Sequence, residues 1–219
     1  GDAPHGVLRI SASITFGRMY IAPLLPRIVA RYPELSCELV LTDQLVDLVD
    51  DNIDLALRLT KAPPEDAVAR KLAHMKRVIC GSPAYFAAHD EPRTPHELAL
   101  HPCFSYMQAD ENRVWRLVDR NGEEISVPVS SKFHFNNIDC ILAAVLAGHG
   151  LAMLPTYLCG PELARGTLKT LFDDLEPVSS MGRYLYACYT PSRVRVPKVR
   201  AFLAELEEAF NPVPPWNKA

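Results

Sequence analysis

The feature that most limits how this chain can fold is an alternation of short extended and helical segments that runs through it twice. "VLRISAS" (7–13) reads as a strand, and residues 17–32 read as a helix with Pro23 and Pro26 near its start. Proline removes an amide donor, so those positions favour a kink or two helical pieces over one smooth helix. "CELVLT" (37–42) is a second strand, Leu45, Leu48 and Val49 then fall at helical spacing, and "DLALRLT" (54–60) is a third strand. Strand, helix, strand, helix, strand in this order predicts a right-handed parallel βαβαβ unit.

A polar loop, 61–67, leads into two extended segments, "VARKLAH" and "RVICGS". From Ser82 the alternation restarts: "SPAYFAAH" has a serine cap followed by proline at the first helical position, and "TPHELAL" repeats the device at Thr94. Strands are expected at 103–106, 114–119 and 124–135, with "RNGEE" as a hairpin turn. In 137–149, Ile138, Ile141, Leu142, Val145 and Leu146 form one helical face, while Cys140, Ala143, Ala144 and Ala147 form a small, weakly polar one. Such a helix is expected to be covered on both sides, by its own domain or by a partner subunit.

"GLAMLP" (150–155) is a buried strand, a helix and a strand follow through about residue 172, and "YLYACYT" (184–190) is another buried strand. The last helix, 197–210, carries Val199, Phe202, Leu203, Leu206 and Phe210 on one stripe, with Lys198, Arg200, Glu205 and Glu208 off it; "NPVPPWNKA" reads as a frayed tail. The whole predicts an α/β fold of two Rossmann-like lobes joined by extended crossings, hinged about a cleft. Ligands in open α/β sheets bind outside the carboxyl ends of the strands.

Composition narrows the partners. The 219 residues are 48% hydrophobic, enough for a sizeable core, and 23 basic against 26 acidic side chains leave a formal charge of −3. A nucleic-acid surface needs a basic stripe, so any DNA contact is expected outside this chain. No segment has the ~18 uninterrupted apolar residues of a membrane span, and "GDAPHGVLRI" has no secretion-signal pattern. Six cysteines (37, 80, 103, 140, 159 and 188) are scattered singly without zinc spacing, as expected of buried thiols in a reducing cytoplasm. Cys140, in the first turn of its helix, is the one candidate redox sensor, opposed by neighbouring Asp139.

Candidate contacts cluster where strands end. Ser11, Ser13 and Thr15 follow the first strand, Thr42 and Gln44 the second, and Arg58 with Thr60 close the third. The amide groups of the helix after Ser13 would offer a seat for a carboxylate or other anion. Taken singly, Ser13 or Thr15 is explained as a helix cap. Arg58, in an apolar strand, must pair with a carboxylate such as Asp54 or face the cleft. Arg18, near the start of the first helix, is a weaker anion contact. In the second lobe Ser105 and Tyr106 end one strand, and Asn136 and Asn137 open a helix, one as cap and the other toward a ligand. Enzyme signatures are missing: "GHG" (148–150) lacks the third glycine of a dinucleotide loop, and no GxSxG or GxxxxGK[ST] occurs. The histidines show no i, i+4 pair or HExxH and read as surface or capping groups. No cofactor or metal is expected.

The ordered series "GVLRISASITFGRMYIAPLLPRIVARYPELSCELVLTD", "DLVDDNIDLALRLT", "VARKLAHMKRVICGSPAYF", "TPHELALHPC", "NNIDCILAAVLAGHGLAMLP" and "PKVRAFLAEL" resembles the effector-binding domain of LysR-type transcriptional regulators, in the CrgA-like branch. The resemblance covers residues 6–210. It implies a type 2 periplasmic-binding-protein-like fold with one lobe at 7–79 plus 182–210, the other at 80–181, and flexible ends. It implies a small effector, often a carboxylate or other anion, contacted by Ser11, Ser13, Thr15, Thr42, Gln44, Arg58 to Thr60, Ser105, Asn136 and Asn137. It also implies a homodimer of this domain, paired antiparallel through the small face of 137–149 and the first helix (Ile21, Leu24, Leu25), and a tetramer for the full-length protein. The family's winged helix-turn-helix lies outside this sequence, so DNA would be contacted only through that missing part of a cytoplasmic protein. Thr60 stands where relatives commonly have glycine, which would narrow or repolarise the cleft. The alternative, a transporter's solute-binding protein of the same fold, would carry a signal peptide upstream in place of the helix-turn-helix.

Overall fold

Residues 2–107 and 109–217 are described by a computed structural model, in which the chain separates into two units, Gly1–His74 with Tyr184–Ala219, and Met75–Arg183. The sequence placed the passages between lobes at 79/80 and 181/182. They fall at 74/75 and 183/184, the first earlier because strand 77–81 pairs with 151–155 and 169–171 of the second unit.

The first unit is built on a five-stranded mixed sheet. Its strands are β1 (Gly6–Ala12), β2 (Leu35–Leu41), β3 (Leu55–Thr60), β4 (Val68–His74) and β12 (Tyr184–Tyr189), in the order β2-β1-β3-β12-β4. β1 runs parallel to β2 from Gly6 opposite Leu35 to Ala12 opposite Leu41, and parallel to β3 through Ile10 and Ser11. β12 is antiparallel to β3 and β4. The expected parallel core is present, and the returning chain adds the antiparallel part.

The first crossover is helical from residue 14, earlier than the periodicity suggested. α1 (Ile14–Phe16) passes into a π turn at Gly17–Ile21, a 3-10 turn at Ala22–Leu24 and then α2 (Leu25–Arg31). Pro23 and Pro26 each sit in the first turn of a new piece, where the missing amide costs least. Gly17 packs closely against β2: a Cβ there would lie 2.3 Å from Leu41 Cδ2, so the Leu41 side chain would have to move. Ile21 and Leu24, expected to face a partner subunit, are buried in the chain's own core.

The second crossover is not a helix. Residues 44–52 are not helical, with a turn only at 48–52, and Leu45 and Val49 are 88% and 73% exposed. Aspartates outcompete the apolar spacing: Asp47 Oδ1 accepts from the amides of Val49 and Asp50, and Asp51 Oδ2 accepts from that of Asp47. Short acidic side chains that bond nearby amides favour turns over helix.

α6 (Pro197–Phe210) buries its predicted stripe of Val199, Phe202, Leu203, Leu206 and Phe210. Glu205, expected on the solvent side, is only 2% exposed, with Arg31 Nη1 at 2.8 Å and Arg27 Nη2 at 3.9 Å. The tail folds back so that the Trp216 ring meets Phe16 edge-on at 5.7 Å and Tyr20 at 5.0 Å.

Buried Asp54 ties this unit together. Its Oδ2 accepts from the Arg9 amide at 2.8 Å and lies 3.2 Å from Lys198 Nζ, while Oδ1 pairs with Arg193. Lys198 also donates to the Val7 carbonyl at 2.6 Å. One carboxylate thus joins β1, the entry to β3 and the start of α6.

The second unit holds a four-stranded sheet and a three-stranded sheet. The first has the order β10-β5-β9-β6, from β5 (Arg77–Gly81), β6 (Cys103–Phe104), β9 (Leu151–Pro155) and β10 (Lys169–Leu171). The second, β11-β7-β8, comprises β7 (Val114–Val118), β8 (Glu124–Pro128) and β11 (Glu176–Val178). The predicted hairpin forms, with Asp119 Oδ1 accepting from the amides of Asn121 and Glu123. The strands expected at 103–106 and 124–135 are shorter, because beyond Phe104 and Pro128 the two segments meet only at isolated bridges, Pro102 with Ser130 and Tyr106 with Phe135. α3 (Pro83–Ala88) is capped by Ser82 as expected, and α4 (Ile138–Leu146) and α5 (Thr156–Arg165) follow. The core holds Trp115, Leu117, Val127, Leu98 and Leu151. Among the described residues no helix is long and apolar enough to cross a membrane.

Removing the central carboxylate by Asp54→Ala should lower stability by about 3 kcal/mol, the low end for a broken buried pair, because Arg193 and Lys198 can rehydrate. Urea denaturation checks this; an unchanged midpoint would show that the chain ends are held by apolar packing alone.

Candidate functional site

The carboxyl ends of β1, β2 and β3 lie on one edge of the first sheet, because these strands are parallel. Ser11 and Thr15 are each 3% exposed, which places both in the interior. Ser13 is half-buried and stands at the N-cap of α1 without a side-chain cap bond. The α1 amide of Ile14 donates instead to Asp43 Oδ1 at 3.1 Å. The amide expected to meet a ligand anion is therefore served by a carboxylate of the protein itself.

Thr42 continues the edge. Its amide donates to the Ala12 carbonyl at 3.0 Å, and its hydroxyl accepts from the amide of exposed Gln44 at 3.1 Å. Arg58 does not pair with Asp54. Its Nη2 donates to the Val46 carbonyl at 2.6 Å and pins the 42–54 connection to β3. Thr60 Oγ1 donates to the Ala62 carbonyl at 3.1 Å in the next turn. The edge thus carries Ser13, Thr42, Arg58 and Thr60, with Gln44 on the adjoining turn.

In the second unit, Ser105 is 5% exposed and accepts from Trp115 Nε1 at 2.7 Å. Its hydroxyl satisfies the indole of a fully buried ring, which is a core role. Asn137 is the cap, its Oδ1 accepting from the amides of Asp139 and Cys140. Exposed Asn136 is left as the asparagine available to a ligand. Tyr106 bridges Phe135, so Tyr106 and Asn136 stand on adjacent stretches. On α4, Ile141 and Val145 are buried whereas Cys140, Ala143 and Ala147 are exposed, so the small face is not covered within this chain.

All six cysteines are free, and Cys80, Cys103, Cys159 and Cys188 are buried. Burial pushes the Cys103 thiol up to about 12. The hydrogen bond with Cys159, together with burial, raises Cys80 well above its ordinary range. Burial raises Cys188 too, against the pull of the Arg58 charge. Among the described residues no three His, Cys, Asp or Glu side chains converge to hold a metal. Gly150 in "GHG" answers to packing, since a Cβ there would lie 2.4 Å from the Pro102 carbonyl.

Asp43 was the residue missed by the sequence reading. Its signal was an acidic side chain ending one parallel strand beside a helix whose own first residues lacked a carboxylate.

The model of the LysR substrate binding domain matches residues 1–211. The chain belongs to the LysR family of transcription regulators. It is 33% identical over 199 residues to the HTH-type transcriptional activator TtdR of Escherichia coli strain UTI89, covering 90% of this chain and 62% of that protein. It is 30% identical over 197 residues to the transcriptional regulator DmlR of Escherichia coli K12, covering 89% of this chain and 64% of DmlR. The CrgA regulatory domain of Neisseria meningitidis superposes with a TM-score of 0.80 at 25% identity, over 94% of this chain and 98% of that domain. This LysR chain spans just under two thirds of the length of these curated relatives. It has the two-lobed, type 2 periplasmic-binding-protein-like α/β fold of LysR regulatory domains, and its relatives are regulators rather than enzymes.

Two pairs of substitutions separate caps from ligand contacts by thermal denaturation. Asp43→Ala and Asn137→Ala should each cost about 1 kcal/mol, the usual value of a lost cap. Ser13→Ala and Asn136→Ala should leave the melting temperature unchanged.

Proposed function

We propose that this chain is the ligand-sensing regulatory domain of a cytoplasmic LysR-type regulator, with its effector read by the carboxyl edge of the first sheet. The observation that carries the reading is the convergence of three parallel strand ends bearing Ser13, Thr42, Arg58 and Thr60 on one edge. Gln44, on the adjoining turn, is the further contact. Ser11, Thr15 and Ser105 act behind them by packing, and Asn137 by capping. The effector is a small polar molecule, and a carboxylate or other anion is its proposed class. In the full-length protein, effector binding is transmitted to DNA through the amino-terminal domain. The domain pairs as a homodimer through the exposed small face of α4, within a tetramer of the full-length protein.

Asp43 makes the anionic class testable. A like charge about 4 Å from a bound carboxylate opposes it by ~1 kcal/mol in water. Asp43→Asn keeps the acceptor and removes that opposition. In a thermal-shift screen against small carboxylates, a true effector raises the melting temperature with concentration, by about 2.7 kcal/mol of stabilisation at a hundredfold excess over Kd. The apparent affinity should grow roughly fivefold in Asp43→Asn, and the shift should vanish in the double variant Ser13→Ala, Thr42→Ala. A shift that survives the double variant would place the ligand elsewhere. Stabilisation by neutral isosteres alone would remove the anionic assignment.

A further inference from the structure

A cavity lies wholly within the second unit and shares no residue with the contacts above. It has a volume of about 630 Å³, the size that accepts a small organic molecule. Its wall is made by the end of α3, the 90–102 segment and the turn before β9. Tyr85 OH lies 2.5 Å from His101 Nδ1, and the Tyr85 ring stacks on His89 with centroids 4.5 Å apart. The spacing of these histidines in sequence gave no hint of this meeting, and His149 joins them from the turn before β9.

The charge of the lining is one-sided. Asp90, Glu91 and Glu97 border the cavity, and among the described residues no lysine or arginine does. Glu91 is neutralised from outside by Lys169 at 2.7 Å. Glu97 accepts from the backbone amide of Arg93 at 2.7 Å. Burial, helped by nearby His89 and opposed by Glu97, makes His101 harder to protonate, so it adds no positive charge at neutral pH. Beside the carboxylates stands Leu100, 81% exposed on a wall continued by Pro102. A large apolar side chain held in water beside uncompensated carboxylates suits a ligand with an apolar body and a cationic head. A metal ion is the weaker fit, since no three ligating side chains converge among the described residues.

We propose that this cavity is a second small-molecule site, selective for an organic ammonium ion with a short apolar or aromatic body. The ammonium group faces Asp90 and Glu97, and the apolar body lies over Leu100 and Pro102.

Phenethylamine is the probe, with phenylacetate and 2-phenylethanol as its anionic and neutral counterparts, each titrated into this chain by calorimetry and thermal shift. Phenethylamine should bind with a Kd on the order of 1 mM, and the two counterparts should bind at least tenfold more weakly. Asp90→Asn with Glu97→Gln should abolish the preference for the amine, and Leu100→Ser should weaken all three probes. Asp90→Asn alone alters an exposed side chain, so its loss of affinity at an unchanged melting temperature guards against misfolding of the double variant. Equal binding of the three probes, no binding of the amine, or an affinity untouched by these variants would overturn the proposal. Amine binding should also persist in Ser13→Ala, Thr42→Ala, which separates this site from the edge of the first sheet.

Discussion

The first unit depends on one buried carboxylate. Asp54 comes from the entry to β3, and its partners come from residues 9, 193 and 198. The chain leaves this unit after His74 and returns at Tyr184, so its last helix has to be recaptured by contacts distant in sequence. Apolar burial drives that recapture: the stripe of α6 is buried from Val199 to Phe210. Burial alone is indifferent to register along a helix. A charge in the interior is not, because it is costly unless its partners arrive in place. The Asp54 cluster, with the Glu205 contact to Arg31 on the other flank, sets where α6 sits on the sheet.

That anchoring shapes the candidate effector edge. With β1 and β3 aligned beside one another, their ends bring Ser13 and Thr60 to the same side of the sheet, and the parallel β2 adds Thr42. Arg58 then holds the turn that follows β2 through the Val46 carbonyl. The electrostatics of the edge are mixed, a guanidinium on one side and the Asp43 carboxylate at the helix start on the other. An edge with both signs of charge can discriminate by the position of a ligand's charge as well as by its sign.

Much of the architecture was readable in the sequence, and the misses share a cause. Most strand positions, the Ser82 cap, the 119–123 turn and α6 follow from signals within a few residues, and these formed. The helix expected at 44–52 failed because Asp47 and Asp51 bond amides in their own turn, a competition that apolar spacing does not register. Ser105 read as a ligand contact because it ends a strand, whereas its partner, Trp115, is ten residues away across the core. Of the two asparagines, spacing showed that one must cap α4, and the hydrogen bonds show that it is Asn137.

The sequence by itself determined the α/β class, the twice-run alternation, the apolar faces and membership of the LysR family, since periodicity and motif order are properties of the chain as written. Only the tertiary structure decided that Asp43 serves the helix amide, that Asp54 pairs with Arg193 and Lys198, and that Tyr85, His89 and His101 line one cavity. Those outcomes depend on which side chains meet after the chain has crossed between units and returned. Burial then sets how strongly each charge must be matched, and no local pattern of residues encodes either.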